Sequence, residues 1–284
     1  MSAQQWILLA TQASVMLSVF AFGLACSIDD LVYVLRRPAR LARSLIAMFL
    51  IMPVVATLLV KHFDFHHSVE VALVALALSP VPPLVTKKQT KTSGRGSHAL
   101  ALMVTMAVLS IVIAPLGVAL MAIVFGQSLS VSPLAVAKVI AKSVLAPLAL
   151  GMLARAVFPA AAERIARPAG MVGMVVLGMA GLLILGASLP ALRAQAGDGT
   201  LLCLLTFIAT GLVAGHWLGG PDPADRAVLA LSTASRHPGI AMAIASLNFP
   251  GEPGLASAVL LYLLLNLVVS LPYVRWQRAR LGRA

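Results

Sequence analysis

Apolar runs of roughly 20 residues follow one another along almost the whole chain, each about long enough to cross the ~30 Å hydrocarbon core of a bilayer as a helix. Lipid offers no partner for a backbone N–H or C=O, so segments of this kind have to be helical or closed into a barrel, and runs this long read as helices. Only 11% of the residues are charged and 60% are hydrophobic. The intervals between runs are too short for a separate soluble unit, so residues 1–284 read as one transmembrane domain of an all-α membrane protein. Candidate spans fall near 6–26, 42–60, 69–88, 98–126, 134–154, 168–190, 200–219, 226–248 and 254–274, which makes about nine transmembrane helices.

A formal net charge of +12 raises nucleic acid as a partner. The basic residues lie between spans without interleaved aromatics, however, so they read as topology signals, and the bilayer is the expected partner. Arg36, Arg37, Arg40 and Arg43, then Lys87, Lys88, Lys91 and Arg95, then Arg155, Arg164 and Arg167, then Arg226, then Arg275, Arg278, Arg280 and Arg283 all fall on one side. Only Lys61 and Arg193 occupy the opposite loops. This asymmetry places the N-terminus outside and the C-terminus in the cytoplasm of a multi-pass cell-membrane protein. Met1 to Gln5 carry no positive charge and Gly23 stands where a lipid-modified secretion signal wants leucine, so the first run reads as a span and not as a leader ending at Cys26. Cys26 and Cys203 are the only cysteines, with no CxxC spacing and no histidine pair nearby, which excludes a disulfide framework and leaves no metal site in view.

Two segments interrupt the helical pattern in the same way. Leu76-Ala77-Leu78-Ser79 runs into Pro80-Val81-Pro82-Pro83, and Leu229-Ala230-Leu231-Ser232 runs into Thr233-Ala234-Ser235-Arg236-His237-Pro238-Gly239. Pro80, Pro82 and Pro83 remove backbone donors, and the Pro238-Gly239 pair does the same in the second segment. Each becomes two half-helices around an unwound point, and paired discontinuous helices in corresponding halves mark a transporter with internal repeats and a midplane site. Simple kinking of packed helices is the alternative, but polar residues follow both breaks, which a kink does not need.

These stretches, together with Ala47-Met48-Phe49-Leu50-Ile51-Met52-Pro53, resemble the bile acid:sodium symporter family over nearly the whole chain, most specifically at the two breaks. The resemblance implies two inverted five-helix repeats with the first helix missing, over about 1–126 and 133–275. It also implies a panel domain from spans 1, 5 and 6, and a core domain in which the two discontinuous helices cross. Sodium-coupled members hold two ions with a Ser/Thr-Asn pair after the first break, hydroxyls on the following helix, a Glu and a Gln at the second break, and a Gln on the helix before the crossover. The matching positions here are Val85 and Thr86, Ala101 and Thr105, Ser232 and Arg236, and Met48. Most oxygen ligands are therefore replaced, while hard cations need several oxygens and usually a carboxylate. All nine acidic residues lie at span ends or in loops.

Arg236 is about ten residues from either end of its span, roughly 15 Å deep at 1.5 Å per residue. A charge at that depth costs about 2.5–3.5 kcal/mol on insertion scales and persists where it is used. Beside the positive end of a half-helix it suits a carboxylate, sulfonate or phosphate, or it ties down carbonyls left open by the break. His237 reads as a helix cap or a proton relay. Ser232, Ser235, Thr86, Thr105, Lys87 and Lys88 complete the candidate substrate site, although Lys87 and Lys88 also read as part of the cytoplasmic cluster. Lys138 and Lys142 read as interfacial residues that could also attract anions, and Gly170, Gly173, Gly178, Gly181 and Gly186 as close-approach positions.

The sequence thus predicts a secondary transporter that moves a small organic anion by alternating access, weakly dependent on sodium or independent of it, with no cofactor and with Na+ or H+ as the only coupling ions in question. Competing readings are a sodium-coupled symporter with backbone ligands, an arsenite-type exporter, a channel or sensor, and a membrane enzyme. The exporter wants a thiolate near the crossover, where this chain has none. The enzyme wants a paired acid, and Ser235 and His237 lack one.

Overall fold

A computed structural model describes residues 3–83, 85–195 and 199–282. Among the described residues it is all helical, in the order α1 (Ala3–Ala25), α2 (Ile28–Val32), α3 (Pro38–His62), α4 (His67–Leu78), α5 (Val85–Ser93), α6 (Gly96–Phe125), α7 (Pro133–Val157), α8 (Pro159–Gln195), α9 (Thr200–Leu218), α10 (Pro223–Ala234), α11 (Pro238–Asn248) and α12 (Leu255–Arg280). Five of these, α3, α6, α7, α9 and α12, are individually long and apolar enough to cross a membrane among the described residues. The expected third and eighth spans are pairs of short helices, α4 with α5 and α10 with α11, as the two breaks imply, because the prolines stop each pair midway.

The surface is what a bilayer requires. On α6, Val108, Val112, Leu116 and Leu120 are all exposed, one helical turn apart, and Ile123 extends the stripe. A stripe of that length in water would be an association surface; in lipid it is an ordinary outer face. Conversely α4 and α10 are buried nearly all round, including the polar Ser68, Ser232 and Thr233, so they form the interior.

The helices sort into two groups. α1 packs against α7 and α8, while α9, α10, α12, α4, α5 and α11 pack among themselves. The first group is drawn together by glycine. A Cβ on Gly23 would lie 2.3 Å from the Leu148 carbonyl oxygen, and one on Gly151 would lie 2.3 Å from the Phe20 carbonyl oxygen, so the α1 and α7 backbones touch at a point where no side chain fits. Gly173 on α8 meets Ser18 of α1 in the same way, whereas an added Cβ on Gly186 would meet open space, so the close-approach expectation fails there. The surroundings of Gly178 and Gly181 lie outside the described residues.

Both α3 and α7 widen into a π-helical turn, Ile46–Ile51 and Ala141–Leu145, just before Pro53 and Pro147. An extra residue per turn relieves the clash between a proline ring and the preceding carbonyls, and it leaves carbonyl groups without their usual donors.

At the arginine-rich end, Asp225 in the first turn of α10 is 2% exposed. The acid expected at a span end is therefore a buried one. It is held by Arg40 Nη2 at 2.7 Å and by His98 Nδ1 at 2.9 Å, with Arg40 Nη1 also donating to the Tyr33 hydroxyl. Beside it Asp222 caps α10 and pairs with Arg95. Burial acts to raise the Asp222 carboxyl, but the Ala224 amide and the Arg95 guanidinium outweigh it and hold that carboxyl below the usual range.

Candidate functional site

The two breaks meet. The His237 N–H donates to the Pro80 carbonyl at 2.8 Å, so the unwound backbone of one broken helix closes on the unwound backbone of the other. Arg236, fully buried, spans the junction: Nη1 donates to the Ser79 carbonyl at 3.1 Å and Nη2 to the Met48 carbonyl at 3.0 Å. Each acceptor is a group the sequence leaves open. Met48 lies in the π-turn, five residues before Pro53, which has no N–H to give, and Ser79 ends α4 where Pro80, Pro82 and Pro83 prevent the ladder from continuing. A planar guanidinium with forked donors suits two carbonyls from different helices. The Tyr262 hydroxyl closes the other side, donating to the Ala234 carbonyl at 2.6 Å. Arg236 therefore bonds carbonyls on both sides of the crossing, as a bracing role requires, while its Nε has no partner among the described residues.

His237 is the cap of α11. Its Nδ1 accepts from the Ile240 N–H at 3.4 Å, which leaves Nε2 buried and without a protein partner among the described residues. His237, Pro238 and Gly239 line a cavity of about 410 Å³, whose other walls are Gln12 and Met16 of α1 and Val139, Lys142 and Ser143 of α7. It lies between the two helix groups, lined by the positive end of α11 and one lysine on otherwise mostly apolar walls. Its size is within the ~300–1,000 Å³ usual for small-molecule sites. A second recess, of about 80 Å³ beside Val71, Val74 and Leu78, is smaller, and its one carboxylate, Glu70, is already paired with His67 at 3.6 Å.

The remaining sequence candidates whose side chains are described are not among the residues that line this cavity. Ser232 accepts from Gln89 Nε2, Ser235 accepts from Asn266 Nδ2 at 3.0 Å, and Lys88 donates to Ser270. Thr86 lies 3.4 Å from the Met103 sulfur, and Thr105 is buried on α6. The side chain of Lys87 lies outside the described residues. Sequence reasoning did not single out Gln12, Ser143, Gln89, Asn266 or Ser270. The signal available for Gln89 and Asn266 was an uncharged amide within or beside an apolar span, which rarely faces lipid.

All-helical architecture among the described residues, an exposed apolar surface and a cavity between helix groups beside the second break define a multi-pass membrane protein. The Sodium Bile acid symporter family matches residues 13–192, and the chain belongs to that family, whose members are transporters. No curated protein matches the chain.

Proposed function

We propose that this chain is a secondary carrier of a small organic anion, working by alternating access with little or no dependence on sodium. The observation that carries the reading is the cavity itself: Lys142 and the α11 N-terminus, with its cap His237, line one space between two helix groups, and both favour an anion with an apolar body. In this reading α1, α7 and α8 are the panel, the other long helices and both broken pairs are the core, and the pairs count as spans to give nine in two inverted repeats. Relative movement of the two groups then opens the cavity alternately to each side.

Weak sodium dependence follows from the crossing. Where dissociable ions and several oxygen ligands would be needed to hold two broken helices together, the Arg236 guanidinium already binds carbonyls from α3 and α4. The test is a binding screen of carboxylates and sulfonates against purified protein, followed by uptake of the best binder into proteoliposomes with sodium replaced by choline. Uptake is expected to change less than about twofold; a loss of tenfold or more would show that a sodium site drives the cycle.

Orientation rests on the loop charges, with the arginine-rich face in the cytoplasm and the N-terminus outside the cell membrane. A reporter fused after Ala284 is expected to be active in the cytoplasm. Activity on the external side would invert the assignment and, with it, the repeat count.

A further inference from the structure

Behind the junction, away from the cavity lining, α5, α10 and α12 bring together a second polar cluster. Gln89 Nε2 donates to Ser232 Oγ and, at 3.0 Å, to the Val228 carbonyl, while Asn266 Nδ2 donates to Ser235 Oγ at 3.0 Å. The Lys88 ammonium donates to Ser270 Oγ, which donates in turn to the Asn266 carbonyl. Two acceptors remain over: Gln89 Oε1 and Asn266 Oδ1 are buried, with no donor among the described residues, in side chains that are 0% and 9% exposed. A buried acceptor without a donor is costly and normally has a partner in some state of the protein.

The composition of the cluster indicates that partner. It holds hydroxyls, amide oxygens and a carbonyl, and none of these groups is bonded to a carboxylate among the described residues. Neutral oxygens arranged in this way suit one positive charge, whether a small hard cation or an ammonium. Lys88 brings an ammonium on a flexible stem with three donors, of which one is engaged, on Ser270. We propose that the Lys88 ammonium, bonded in this structure to Ser270, is a tethered monovalent cation whose remaining donors take the open oxygens of Gln89 and Asn266 in another state of the carrier, in place of a dissociable ion. The inference deepens the carrier reading: it explains how the packing of α5, α10 and α12 is kept with no free ion to bind and release.

Its test needs no transported substrate, so it can fail while the anion reading stands, and the reverse. Thermal unfolding of the detergent-purified full chain is followed in sodium chloride against choline chloride at constant ionic strength. The wild type is expected to show no sodium-specific shift. Lys88→Met, which keeps the stem and empties the cage of charge, is expected to gain a saturable rise of about 3 °C with sodium at roughly tenfold above its dissociation constant. That rise should vanish in the double variant Lys88→Met, Asn266→Leu. Asn266→Asp in the wild-type background does not rely on the Lys88→Met variant folding, and it is expected to stay sodium-insensitive because the ammonium neutralises the added carboxylate. A sodium response in wild type or in Asn266→Asp, or none in a folded Lys88→Met, would overturn the proposal.

Discussion

Arg236→Gln is expected to lower the unfolding temperature of the purified protein by more than about 5 °C, one of the largest losses available from a single polar side chain. The substitution withdraws donors from two buried carbonyls, that of Ser79 at the end of α4 and that of Met48 in the π-turn of α3. Leaving a buried acceptor unsatisfied costs about 1–3 kcal/mol, so the pair amounts to roughly 2–6 kcal/mol against a typical total stability of ~5–15 kcal/mol. At about 2–4 °C per kcal/mol for a chain of this size class, the shift is readily measured. Arg236→Lys is expected to fall between wild type and Arg236→Gln, since a point-like ammonium cannot reach two carbonyls in the forked geometry that a guanidinium gives. If both variants unfold within about 2 °C of wild type and yet lose anion binding, Arg236 acts on the substrate and the bracing role is wrong.

The same residue shows how far the sequence could be read. The breaks were legible at Ser79–Pro83 and Ser235–Gly239 because proline and glycine alter the backbone whatever surrounds them, and the depth of Arg236 followed from counting residues along its span. What Arg236 binds was not legible, because its partners are carbonyl oxygens, which every residue carries. Pro53 removes the donor that would close on Met48, but only the fold shows that this carbonyl lies in a π-turn within reach of a guanidinium nearly two hundred positions further on. Helix faces were harder still. Depth along a span says nothing about direction around it, so Lys142 read as an interfacial lysine that could also attract anions and Lys88 as either a substrate-site residue or one of the cytoplasmic cluster, while one lines the cavity and the other reaches Ser270. Asp225 was placed correctly at a span end, but its burial between Arg40 and His98 depends on where α3 and α6 begin, and no local pattern encodes that.

Lys142→Met is expected to weaken binding of the best carboxylate or sulfonate by about 10–100-fold while leaving the unfolding temperature near that of wild type. The cavity holds one ammonium, and a hydrogen bond to a charged group is worth about 1.5–3 kcal/mol, each 1.4 kcal/mol being a factor of ten. The α11 N-terminus and His237 remain in the variant, so binding is reduced and not abolished. Stability should hold because Lys142 is exposed on a face of α7 that opens into the cavity, and methionine keeps its length and apolar stem. His237→Ala should differ in kind. It removes the cap on the Ile240 N–H as well as the free Nε2, so it should lower both stability, by about 1 kcal/mol, and affinity. Isothermal titration with the anion identified in the screen, paired with thermal unfolding, separates the two patterns. Unchanged affinity in Lys142→Met would show that the anion binds elsewhere, and the cavity between α1, α7 and α11 would lose its claim to be the transport site.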